Sequence, residues 1–246
     1  MRHPMTGRRD RVRAIHRALS DAGPEAMGSA HLGDAARTLT LRPPTREPAM
    51  PLHAALADRR SRYDYAPLDH DDLSSLLRWA LGPQRTLPSA GGGHRLSMHP
   101  SAGGLASTTA YPVVLRHIDG IDEGVYQFDR DAHQLLLRRE GDVRDALTRC
   151  LVQPEFAERT PVIIVIVGEL EATLVKYSER HYRTLHVDAG LAVANLYLVA
   201  TAFDLACCAI SGFYDNQLAD ALSLNDSQIP LVAVAVGARR QVGEQR

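Results

Sequence analysis

Lysine is nearly absent from this 246-residue sequence: Lys176 stands alone among 28 Lys and Arg residues. Arg serves wherever a plain cation is needed, so the remaining lysine is a candidate for proton exchange, which a guanidinium does not perform at ordinary pH. Tyr177 follows at once and is a second side chain able to exchange a proton. Cysteine is also scarce. Cys150, Cys207 and Cys208 form no CxxC pair, which excludes a thiolate zinc centre and a disulfide scaffold and fits reduced thiols in a cytoplasm. Aromatics make up 5%, too few for a base-stacking surface, and a net charge of −1 gives no global attraction to nucleic acid or membrane. The N-terminus shows Arg but no apolar signal segment. The longest apolar run, Leu191–Ile210, is broken by Asn195, Thr201 and Asp204, and reads as a buried helix leading into a strand. No Rossmann or P-loop fingerprint follows a strand, and HExxH and GxSxG are missing. The 11 His are scattered without metal-ligand spacing.

What is present is one ordinary domain with an extension. Apolar residues reach 45%, enough for a large core. Residues 1–48 are rich in Arg, Ala, Gly and Pro. Asp10–Ala22 reads as a short basic helix, whereas Arg42–Pro48 cannot continue one, because Pro lacks a donor and restrains its predecessor. Residues 1–48 are expected to be an extension that wraps the domain or is partly flexible, and 49–246 the domain, its folded unit starting near Leu52. Asp69 is the expected cap of a helix carrying Leu73, Leu76, Leu77 and Leu81 and ended by Gly82-Pro83. A loop is expected over 83–109, then strands at Tyr111–Leu115, Gly124–Phe128 and Gln134–Leu137, the last two a hairpin. Further on come a helix at Asp142–Leu151 and a strand at Pro161–Val167 buried on both faces. Leu170–Tyr177 is expected as a short helix, Leu185–Phe203 as a long one, and the final strand at Leu231–Val236. Without strict βα alternation, this predicts an α+β fold with helices on a mostly antiparallel or mixed sheet.

Two local patterns have a chemistry of their own. Arg59-Arg60-Ser61-Arg62 offers three guanidinium forks and a hydroxyl within four residues, which suits a phosphate monoester, though an Arg-rich turn equally suits a solvated surface. Arg239 and Arg240, just past the last strand, are candidates for the other side of such a phosphate. Pro100-Ser101-Ala102-Gly103-Gly104 echoes Pro88-Ser89-Ala90-Gly91-Gly92. Its small residues permit close backbone approach to a ring or anion, and equally make a linker.

In this order, with Gly124–Asp129, these pieces resemble the nitroreductase-like flavoproteins. The stretch Lys176–Arg183 running into Asp188-Ala189-Gly190 and Asn195-Leu196, with Ile210-Ser211-Gly212-Phe213 before a helix, resembles the SagB-type dehydrogenases over roughly residues 52–240. The resemblance implies an α+β homodimer binding FMN at the subunit interface. Its reaction would be oxidation of thiazoline or oxazoline rings in a modified precursor peptide, beside a cyclodehydratase. Carried over by position, Lys176 and Tyr177 are the catalytic pair. Arg59, Arg60 and Ser61 would hold the FMN phosphate or ribityl chain. Pro100, Ser101, Ala102 and Gly103, with Gly212, would approach the isoalloxazine, and Arg239 or Arg240 would meet the phosphate. The chain departs from the pattern at three places: Tyr63 stands where a second basic residue is usual, Asp204-Leu205-Ala206 replaces Gly-Leu-Gly, and Leu105–Thr109 separates the Gly pair from Tyr111-Pro112. Competing readings are an NAD(P)H-fed nitro or quinone reductase, a flavin oxidation of another peptide-derived substrate, and a non-catalytic peptide-binding subunit.

Overall fold

Val162–Val167 is apolar at every position, and each of these side chains is essentially inaccessible. Strand pleating sends alternate residues to opposite faces. Val162, Ile164 and Ile166 join one core, and Ile163, Val165 and Val167 join a second. This strand, β8 (Val162–Glu169), is therefore central, and helices must cover both sides of it. A computed structural model describes residues 14–15, 37–89, 92–174 and 176–240 and bears this out. Apart from Ala14 and Ile15, the helix expected at Asp10–Ala22 lies outside the described residues.

Around β8 run β5 (Thr108–Val114) on one side and β10 (Gln228–Arg239) on the other, both antiparallel to it. The sheet continues outward from β5 through β6 (Gly124–Asp129) and β7 (Gln134–Glu140) to β1 (Arg37–Thr40). Its other edge is made by β9 (Leu205–Ile210) and the short β2 (Tyr65–Ala66), both paired with β10. The result is an eight-stranded sheet, antiparallel in every ladder. One core lies beneath α2 (His70–Leu81) and α6 (Tyr182–Ala202); the other beneath α3 (Arg144–Cys150), α4 (Glu155–Arg159) and α7 (Asp215–Leu222). Asp69 caps α2, accepting from the Asp72 N–H at 2.7 Å. Glu179–Ala202 is long and apolar enough to cross a membrane, but half of its apolar window is buried in the fold. The Asn195 amide ties α6 to α2 by donating to the Ala80 carbonyl at 3.2 Å. The α+β fold with a mostly antiparallel sheet around a long helix is thus as expected.

Over its described residues the extension wraps the domain: β1 pairs with β7 residue by residue, Leu41 is buried, and the Trp79 indole donates to the Arg46 carbonyl. Two expectations change. Within the expected loop 83–109, β3 (Pro83–Ser89) and β4 (Gly92–Ser97) pair as a separate hairpin. Ala90 and Gly91, between the two strands in sequence, are outside the described residues. The hairpin therefore adds two strands to those expected. The helix expected to carry the Lys-Tyr pair, α5 (Leu170–Leu174), stops short, leaving Lys176 and Tyr177 on a turn.

Candidate active site

The sequence-predicted residues gather at two points along α6. Toward its C-terminal end, the chain leaving α1 (Leu52–Asp58) crosses Tyr197. The Arg59 guanidinium lies 5.4 Å from the Tyr197 ring centroid, and the Ser61 and Tyr197 hydroxyls are 3.0 Å apart. Tyr197 also accepts from the Ala209 N–H at 2.8 Å, and the Arg62 N–H donates to the Cys207 carbonyl at 3.0 Å. Tyr197 thus fastens the Arg-Ser segment to β9. It escaped sequence reasoning, its one signal being a polar-tipped ring in a mostly apolar helix. Arg59 and Arg60 are exposed and form no ion pair among the described residues; the Arg60 Nε donates to the Asp58 carbonyl at 3.3 Å. Arg239 differs. Its guanidinium meets Asp204 at 2.8 Å and Asp64 at 3.8 Å, while the Arg240 N–H donates to the Asp64 carbonyl at 2.8 Å. Asp204 has φ of 55°, a left-handed conformation, at the position where the family pattern has Gly.

The second cluster lies about nine residues back along α6, roughly 14 Å at the helical rise. Asp188 is 2% exposed. Its two oxygens accept from the Ala102 N–H, each at 3.2 Å, and one accepts from the Ser107 hydroxyl at 2.7 Å. A buried carboxylate needs such donors, and here they pin both ends of the Gly-rich segment. The Ser101 hydroxyl closes the turn on the Leu105 carbonyl at 2.7 Å, and Pro100 is exposed. Gly103 and Gly104 have φ of 63° and 68°. A Cβ on Gly103 would stand 2.5 Å from the Tyr177 Oη and 3.1 Å from the Lys176 Nζ. The catalytic pair predicted from sequence therefore converges above this one glycine. Lys176 is exposed, so the chain by itself does not supply the burial expected around a base. Tyr177 stacks on His181, with centroids 4.1 Å apart and planes 14° from parallel.

Gly212 sits elsewhere, its carbonyl accepting from the Val152 N–H at 2.9 Å. Its neighbours Ser211 and Phe213 line an open groove of about 480 Å³ whose other wall includes Tyr182 and His186 of α6. A separate cavity of about 320 Å³, lined by Leu81, Thr108, Gln127, Phe128, Ile166 and Ala192, contains neither Lys176 nor Tyr177. His99 borders it; burial, with Arg130 nearby, lowers its pKa to about 4. Burial also lowers the pKa of His181, against the opposing pull of Asp188.

The Nitroreductase family profile matches residues 56–238. The chain belongs to the Nitroreductase family. It is an oxidoreductase of a family whose members use flavin. MJ1384 of Methanocaldococcus jannaschii, described as a nitroreductase, is 28% identical over 195 residues, covering 76% of this chain and 91% of its own. A crystal structure described as a nitroreductase from Ralstonia eutropha superposes with a TM-score of 0.65 at 25% identity, covering 89% of this chain and 98% of that one. One chain of the E. coli microcin synthetase McbBCD complex, solved with truncated pro-MccB17 bound, shares the fold. Its TM-score is 0.61 at 20% identity, with 93% and 92% of the two chains covered.

A flavin mononucleotide fits the residues present. Two exposed guanidinia with no carboxylate partner among the described residues, beside a hydroxyl, make a phosphate donor set.

Proposed function

We propose that this Nitroreductase-family protein is an FMN-dependent, SagB-type azoline dehydrogenase. In this reading it oxidises thiazoline or oxazoline rings of a modified precursor peptide to thiazoles or oxazoles. The observation that carries the reading is the convergence of Lys176 Nζ and Tyr177 Oη over Gly103, on a segment anchored by buried Asp188. The likeness to a chain of a synthetase complex holding a pro-peptide supports a peptide substrate and a cyclodehydratase partner.

Bound FMN would supply the acceptor for the ring's hydride, with dioxygen as the terminal oxidant. Arg59, Arg60 and Ser61 hold its phosphate and ribityl end, joined by Arg240 and by Arg239 to the extent that Asp204 releases it. Pro100, Ser101, Ala102 and Gly103 flank its ring. The Lys176 amine takes the proton from the neighbouring ring carbon, and Tyr177 orients that amine or relays the proton. Since Lys176 is exposed in the single chain, its cover comes from bound flavin, peptide and a second copy in a homodimer.

Incubating purified protein with a matched azoline peptide tests the proposal: the peptide loses two hydrogens per ring, and denaturation releases FMN. Unchanged peptide mass with flavin-loaded protein overturns it. The names of the relatives favour a second reading, NAD(P)H-fed nitro or quinone reduction. Rapid bleaching by NADPH with a nitroaromatic acceptor, and no azoline oxidation, selects that one.

A further inference from the structure

His181 has no part in the roles assigned above, yet it makes the closest ring contact in the candidate site. We infer that His181 is a positioning residue: its imidazole is the platform that holds the Tyr177 phenol over Gly103. The inference rests on the proposed role of Tyr177.

Backbone restraint on that phenol is weak. The Lys176 and Tyr177 N–H groups both donate to one carbonyl, that of Thr173, at 3.2 and 3.1 Å. Helix α5 ends at Leu174, and Tyr177 keeps a single helix-type bond to Thr173, at the frayed end of the ladder. The ring is only half-buried, and a tyrosine on a turn otherwise samples several rotamers. His181 removes that freedom. It is 8% exposed, its N–H donates to the Ser178 carbonyl at 2.9 Å, and it ends the short turn Glu179–His181 that opens into α6. The imidazole thus stands on the same helix as Asp188, seven residues on. One rigid element fixes both the floor of the site, through Ala102, and the phenol above it, through the stack. The stack is face to face at 4.1 Å, and the His181 Nε2 is buried without a hydrogen-bond partner among the described residues. The ring face, rather than that nitrogen, is therefore the part in use.

The test compares His181→Ala with His181→Phe in full-length, FMN-loaded protein, using ¹³C-labelled tyrosine with Tyr177→Phe to assign the signal. In the wild type the Tyr177 resonance is displaced upfield by the stacked ring. His181→Ala abolishes that displacement and lowers kcat by about ten- to a hundredfold with KM for the peptide unchanged, the loss expected of an ångström-scale misplacement. His181→Phe restores both. The inference is overturned if His181→Ala leaves the resonance in place, or if the Ala and Phe variants lose kcat equally. Full turnover by Tyr177→Phe would sink the proposed role of the tyrosine instead, and the spectrum would still decide the stacking claim.

Discussion

Gly103→Ala separates the geometry of the site from the stability of the fold. At φ of 63°, any L-residue at position 103 carries a left-handed penalty of about 1–2 kcal/mol. For a domain of this size, each kcal/mol lowers Tm by about 2–4 °C, so the strain alone predicts a loss of about 2–8 °C. The added Cβ also meets the Tyr177 Oη at 2.5 Å, whereas ordinary contact begins at 3.4 Å. The phenol must retreat by about 1 Å, and a displacement of that size in a catalytic constellation costs about 10²-fold in rate. Gly141→Ala is the matched control: φ there is 92°, and nothing lies within 4 Å of the added carbon. Both variants should lose a similar few degrees in a thermal melt and retain FMN. In azoline turnover measured by mass spectrometry, only Gly103→Ala should fall about a hundredfold. Equal kcat for the two variants would refute the claim that the Lys-Tyr pair works over Gly103.

Asp188→Asn removes the charge behind the bonds from the Ala102 N–H and the Ser107 hydroxyl and turns one acceptor oxygen into a donor; the lost charge assistance predicts about 1.5–3 kcal/mol of destabilisation. Its Tm should drop and its FMN content fall, and a melt superimposable on the wild type would contradict the anchoring role. Acid should weaken the fold through His99. With its pKa lowered from 6.5 to about 4, the unfolded chain binds the proton first, so this contribution is complete above about pH 6.5 and is lost as pH falls toward 4. A shift of that size is worth about 3 kcal/mol, and His181 acts in the same direction, while the raised carboxyls of Glu169 and Asp72 oppose it. His99→Gln should flatten part of the acid limb of Tm against pH, and an unchanged slope would count against it. Asp204→Asn removes the nearer of the two carboxylates that hold Arg239 and leaves Asp64 at 3.8 Å, so FMN Kd by fluorescence quenching should tighten modestly. Weaker binding would mean that the Asp204–Arg239 pair itself shapes the phosphate site.

The parts of the fold legible in the sequence were those where one local pattern has one physical meaning. The unbroken apolar run 162–167 could be satisfied only between two helical layers, and Asp69 with its leucine spacing announced α2. Composition misled where Gly and Pro were dense. Those residues usually break ladders, yet Arg85–Ser89 pairs with Gly92–Leu96 because an isolated hairpin tolerates them at its edges. Four-residue β1 was hidden inside an Arg- and Pro-rich stretch, since its signal is its pairing with Leu135–Leu137, far away in sequence. The Lys-Tyr pair was recognisable as chemistry but misplaced as structure, because nothing local marks the end of α5 at Leu174. Asp188 and Tyr197 acquire their roles only through contacts with distant segments, which no spacing rule reveals, whereas His181 acts on a neighbour four residues back, in a turn whose geometry the spacing does not announce.

Lys176→Arg tests the central claim most directly, because it keeps the cation and forbids removal of a proton. The account predicts a folded, flavin-loaded variant whose azoline peptide shows almost none of the two-hydrogen mass loss per ring seen with the wild type, with the rate down by about 10²–10⁴. Turnover equal to the wild type would contradict it.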